Sequence, residues 1–215
     1  MVARRSILLS KMTDSLPAIP GRQPRAPGAQ RAQGGKRERL IEAAAATIYT
    51  AGVEKTTLAD IAAAAGIPLG NVYYYFKTKD ALVQAVVEAH LAEASAMLAA
   101  IDDAHDTPRE RLKALFGALA QQSDLIARYG CPHGSLCQEL AKRADGAPAA
   151  AELMREPVEW AQRQFAAMGR PDARDLAIQV LARYQGTALL TSAYREPALM
   201  EAEARRVAQW IDTLD

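Results

Sequence analysis

The chain is 215 residues long, half of them apolar and 24% charged, with a formal net charge of +1. That length supports a sizeable core, and no apolar run approaches the ~18 residues needed to span a bilayer, which excludes a transmembrane role. The even average hides a split: residues 1–80 carry twelve Lys and Arg against six Asp and Glu, a net of +6, whereas residues 81–215 carry fourteen against nineteen, a net of −5. A basic N-terminal portion is an electrostatic footprint for a polyanion, although solubility alone explains it too.

The start, MVARRSILLSK, lacks the small-residue cleavage site of a secretory signal. Two cysteines, Cys131 and Cys137, make no disulfide framework for a chain this long, so a reducing, cytoplasmic location is the expectation. Residues 1–35 hold Pro17, Pro20, Pro24 and Pro27 with six basic residues, Arg4, Arg5, Lys11, Arg22, Arg25 and Arg31. They read as a disordered basic arm.

From Lys36 the chain turns alanine-rich with helical periodicity, and the expected class is all-α, with nine helices. The first runs from Lys36 to Thr50, placing Leu40, Ile41, Ala44, Ala45 and Ile48 on one face, and closes at Gly52. A second spans Leu58 to Ala65, opened by the capping-box pair Thr57 and Asp60 and ended by Gly66. A third covers Pro68 to Tyr75. A fourth, capped by Thr78, runs from Lys79 to Ile101 and closes at Asp102 and Asp103. Thr107-Pro108-Arg109-Glu110 is a further capping box that starts a helix reaching Arg128. After a connection at Tyr129 to Gly134, helices follow at Ser135–Arg143, Pro148–Met168, Asp172–Tyr194 and Pro197–Leu214, with Asp145-Gly146 among the separators.

The most informative stretch is TTLADIAAAAGIPLGNVYYYFKTKDAL, residues 56–82. Two short helices joined by a tight turn at Gly66 have the layout of a helix-turn-helix, whose second helix enters the major groove. Val72 and Phe76 suit the inner face of that second helix. Asn71 and the run Tyr73-Tyr74-Tyr75 leave at least two phenols and an amide outward, because consecutive helical positions sit about 100° apart. Asn pairs with adenine and tyrosine hydroxyls donate to phosphate oxygens.

This stretch resembles the tetracycline-repressor family of bacterial transcriptional regulators. The resemblance runs over residues 38–82 and rests on Thr57, Asp60, Ile61, Ala62, Ala64, Ala65, Gly66, Ile67, Gly70, Val72, Tyr73, Tyr75, Phe76, Lys79, Asp80 and Leu82. It implies a DNA-binding domain at 36–80 and a helical ligand-binding and dimerisation domain at 81–215. Within the first, Thr57 is expected to donate to a phosphate, Asn71, Tyr74 and Tyr75 to face the groove, and Lys79 to neutralise a phosphate. Leu69, Gly70 and Lys77 complete the expected DNA-binding set. Leu69 stands where relatives often carry a polar residue; it makes no base hydrogen bond but can touch a thymine methyl.

For the C-terminal domain the resemblance implies a small-molecule pocket and a two-fold dimer made by the last two long helices. Candidate pocket residues are Phe116, Leu119, Cys131, Met154, Trp160, Phe165 and Tyr184, for each of which core packing is the stronger reading. Candidate dimer residues are Leu181, Ala188, Leu189 and Trp210. The expected partners are a double-stranded DNA operator, a small-molecule effector and a second copy of the chain, with no membrane, cofactor, metal or catalytic residue. A rival reading, a thiol redox switch or an enzyme, would use Cys131, His133 and Cys137.

Overall fold

The computed structural model describes residues 35–143 and 146–214; the basic arm, apart from Gly35, and Asp145 lie outside the described residues. Every regular element among the described residues is an α-helix, so the class is all-α as expected. Ten helices are present there: α1 (Lys36–Ala51), α2 (Leu58–Ala65), α3 (Leu69–Tyr75), α4 (Lys79–Ala104), α5 (Pro108–Ala120), α6 (Ser123–Tyr129), α7 (Pro132–Ala141), α8 (Ala147–Ala167), α9 (Ala173–Tyr194) and α10 (Ala198–Asp212). They fall into two compact units that meet in sequence between His90 and Leu91.

In the first unit, α1 buries Leu40, Ile41, Ala44, Ala45 and Ile48, the face its periodicity marks. Residues α2 and α3 contribute to the same core are Ile61, Ala62 and Val72, joined by Phe76 and by Leu82, Val83, Val86 and Val87 of α4. Thr57 and Asp60 form a complete capping box at the start of α2, and Gly66 ends it in the left-handed conformation at φ 62°. The Gly66 and Ile67 N–H groups return to carbonyls of the last turn, and Ile67 itself is buried, which fixes where the chain leaves α2. Arg39 Nη2 donates to Ala65 O at 2.7 Å, satisfying another carbonyl that the end of α2 leaves open.

By length and composition alone α4 is long and apolar enough to cross a membrane, contrary to the expectation from the sequence. Its apolarity has another cause, since Leu82, Val83, Ala85, Val86 and Val87 are core residues.

In the second unit, α9 packs against α8, α10 and α6, and α5 packs against α10 and α8. Trp160, Phe165, Leu112, Val180, Val207 and Ile211 form the centre of the core. The helix expected to run unbroken to Arg128 is two helices, α5 and α6, divided at Gln121 and Gln122. Ser123, Leu125, Ile126 and Ala127 are all buried, more positions than one face of a continued α5 presents, and the turn redirects the chain to bury them. The expected stop at Asp102 and Asp103 also moves, because α4 continues to Ala104 and Asp102 serves as an anchor. Its carboxylate accepts from Trp160 Nε1 at 3.1 and 3.2 Å and from Gln164 Nε2 at 3.3 Å, with Arg111 Nε 3.7 Å away. A buried indole N–H and amide are thereby satisfied.

Candidate nucleic-acid interface

The seven residues of α3, Leu-Gly-Asn-Val-Tyr-Tyr-Tyr, include no charged side chain. Val72 and the following Phe76 are buried, and Arg37 lies over the outer face of the Phe76 ring, 5.3 Å from its centroid. With that face inward, the helical repeat turns Gly70 and Tyr74 outward and sets Tyr73 and Asn71 on the flanks. Exposure follows this order: Tyr74 is 76% exposed, Tyr73 47% and Leu69 40%, whereas Asn71 is half-buried. The Tyr74 and Tyr75 rings meet edge to face at 4.9 Å, a contact that limits the rotation of both phenols. A Cβ added at Gly70 would meet nothing within 4 Å, so the glycine leaves an open notch beside Tyr74.

Thr57 is exposed, but its hydroxyl is already engaged: Oγ1 donates to Asp60 Oδ2 at 2.7 Å and accepts from Asp60 N–H at 3.2 Å. The hydrogen bond from the Thr57 hydroxyl, followed by that from its N–H, holds the Asp60 carboxyl below the ordinary carboxylate value. A phosphate arriving here competes with that carboxylate for the hydroxyl hydrogen. Lys79 Nζ donates to Glu54 O at 3.1 Å, which ties the start of α4 to the loop before α2 and leaves the other ammonium hydrogens for an anion. Lys77 is exposed. Lys36, Arg37 and Arg39 at the start of α1 are exposed as well and were not singled out from the sequence, although the run Lys-Arg-Glu-Arg carries the signal.

In the second unit, Phe116, Cys131, Trp160, Phe165 and Tyr184 belong to one buried cluster, with Leu119 packed against it; Met154 is half-buried and stands outside it. Leu181 is half-buried, Ala188 is 1% exposed and faces its own core, and Leu189, one position on, is 65% exposed. Trp210 packs edge-on to Phe165 at 6.1 Å beneath the Arg183 guanidinium.

Cys131 is the N-cap of α7, with Sγ accepting from Gly134 N–H at 3.4 Å and from the Tyr184 hydroxyl at 3.4 Å. Gly134, expected in a connecting turn, lies inside α7. A Cβ there would come within 2.4 Å of Gln185 Oε1, so the glycine admits a side chain of α9. Cys137 Sγ instead turns to α8 and donates to Ala150 O at 3.4 Å. Burial, and then the neighbouring Cys131, push the Cys137 thiol up, away from the reactive thiolate. Six helical steps separate the two cysteines, about 9 Å of rise, which exceeds the ~7 Å that a disulfide spans between Cα atoms. His133 Nε2 donates to Leu153 O at 2.6 Å, and burial pulls its pKa below the ordinary 6.5. Among the described residues, no group of three or more His, Cys, Asp or Glu side chains is placed to hold a metal ion.

Comparison with known proteins bears on the first unit. The family described as "Bacterial regulatory proteins, tetR family" matches residues 40–86, from α1 into α4. Over these residues the chain is similar to the tetR family of bacterial regulatory proteins. The transcriptional regulator TtgR of Pseudomonas putida is 46% identical over 65 residues, covering 27% of this chain and 31% of that protein. The transcriptional repressor KstR2 of Mycobacterium tuberculosis is 37% identical over 83 residues, covering 39% of this chain and 42% of that protein. The chain thus matches less than half the length of these tetR-family relatives, which are named as regulators and repressors rather than enzymes. A TetR transcriptional regulator from Legionella pneumophila has the same fold, with a TM-score of 0.74 at 22% identity over 84% of this chain and 97% of that one.

Proposed function

We propose that the protein is a transcriptional regulator, a repressor by the habit of its relatives, which binds a palindromic operator as a homodimer and leaves it when a small molecule occupies the second unit. The observation that carries this reading is α3. Its outer face presents tyrosines and an open glycine notch to solvent, while Val72 and Phe76 alone anchor it. An isolated soluble domain gains nothing from three consecutive exposed phenols, whereas a helix laid in a major groove uses hydrogen-bonding and apolar groups of this kind. Lys77 and Lys79 supply cations just after this helix in sequence, Arg37 of α1 lies over the Phe76 ring at its end, and Thr57 supplies a hydroxyl at the start of α2.

Dimerisation is supported by α9, where Ile178, Leu189, Leu190 and Tyr194 are exposed large apolar residues and the exposed Ala182 and Gly186 lie between them. This is a continuous apolar stripe with small residues at its middle, the surface that a second copy covers on close approach of two helices. Soluble operation in the cytoplasm follows from the DNA target. The test is to pass fragments of the source genome over the purified protein and footprint those retained. A two-fold symmetric footprint, lost on adding one member of a small-molecule library, is expected; uniform retention of all fragments refutes the operator reading.

A further inference from the structure

Leu69 is the first residue of α3 and, at 40% exposure, the one large aliphatic side chain that this helix leaves in solvent. Core packing does not account for it, since Val72 and Phe76 fill the inner face. Resting on the DNA-binding reading above, the geometry points to Leu69 as a specificity residue that recognises the C5 methyl of a thymine in each operator half-site.

Two observations lead there. The N-terminal residues of a recognition helix are the ones that reach base edges, and Leu69 holds that place directly after the extended Pro68. Guanine is read most often by the forked or ammonium donors of Arg and Lys, and α3 has neither; the nearest lysines follow its end, with Lys79 tethered to Glu54 O. An apolar side chain at a base edge leaves N7, O6 and N4 unpaired and loses their hydration. Opposite thymine it covers a methyl group instead. The remaining groups of the outer face agree in sign: the Asn71 amide pairs with adenine and the Tyr73 and Tyr74 rings offer further apolar surface. The half-site is therefore read chiefly through A·T pairs, with Leu69 assigned to one defined methyl.

The experiment uses the full-length protein and a duplex site obtained by repeated selection from a random-sequence pool. Each thymidine of the site is replaced in turn by deoxyuridine, which removes one methyl and nothing else. For the wild type, one symmetry-related pair of positions is expected to lose about fourfold in affinity per half-site, and about fifteenfold when both are replaced. Leu69→Ala should lose a similar amount on the thymidine site and become indifferent to deoxyuridine at those two positions, while keeping its sensitivity elsewhere. Because the side chain is exposed, the variant is expected to fold, which circular dichroism checks; Leu69→Val, retaining part of the apolar surface, should fall between. A wild type insensitive to every deoxyuridine, or a Leu69→Ala protein that keeps the full sensitivity, overturns the assignment and leaves DNA binding intact. Failure of the pool to enrich any sequence overturns the DNA-binding reading itself.

Discussion

On the proposed homodimer, adjacent positions on α9 face opposite ways, one to the partner and one to the core. Leu189 is 65% exposed and Ala188 1%, so Glu substitutions at the two sites should fail in different ways. Fully burying a leucine side chain is worth about 1.5–3 kcal/mol, of which about two thirds remains available at Leu189, so each protomer contributes about 1–2 kcal/mol and a symmetric pair about 2–4 kcal/mol. Losing that much weakens the dimer about thirty- to a thousandfold. A buried carboxylate adds its desolvation cost, so the estimate is a lower bound. Leu189→Glu should therefore sediment as a folded monomer at concentrations where the wild type is dimeric, with unchanged helical circular dichroism and reduced operator affinity. Ala188→Glu should instead lose the helical signal of the second unit, since the carboxylate enters that unit's core. A Leu189→Glu protein that remains a dimer with wild-type concentration dependence refutes the assignment of α9 to the interface.

Three further outcomes follow from the geometry. Gly66→Ala makes only an ordinary van der Waals contact, 3.8 Å to Arg39 Nη2, but places a Cβ at φ 62°, so it should cost about 1–2 kcal/mol in urea titrations with Gly66→Asn costing less; equal stability of the alanine variant would show that the turn relaxes. Thr191 Oγ1 is fully buried and has no hydrogen-bond partner among the described residues, so Thr191→Val should raise the urea midpoint by about 1 kcal/mol equivalent, and a fall would reveal a partner for the hydroxyl. His133 has a lowered folded-state pKa, so as pH falls below 6.5 the unfolded chain takes up a proton that the folded chain resists; stability drops over that window, and His133→Gln should flatten the drop in parallel urea titrations, whereas matching slopes would contradict it.

How far the sequence discloses the fold depends on whether the cause is local. The boxes Thr57 with Asp60 and Thr107 with Glu110, and the stop at Gly66, are visible because capping involves residues three apart and a left-handed cap calls for glycine. The division at Gln121 and Gln122 is not, since no proline or glycine marks it and its cause is tertiary burial of residues 123–127. The Gly and Pro of residues 130–134 suggested a loop, yet Pro132 opens α7 and Gly134 is a packing position against Gln185. Within the candidate site, the outward phenols of α3 are legible from helical geometry, whereas the engagement of Thr57 by Asp60 and of Lys79 by Glu54 O depends on side-chain placement. The inward turn of Ala188 beside the outward Leu189 is hidden for another reason: α9 is apolar on more than one side, so periodicity does not say which side the core takes.

The most direct test of regulated DNA recognition is the affinity of wild type and Tyr74→Ala for a retained genomic site and for a scrambled duplex of equal length, followed by fluorescence anisotropy across a salt series. Wild type should prefer the genomic site, and both duplexes should bind less tightly as salt rises. Tyr74→Ala should cost about 1–3 kcal/mol on the genomic site and little on the scrambled one. Equal affinity of the wild type for both duplexes, or equal losses on both for the variant, would contradict a sequence-reading role for α3.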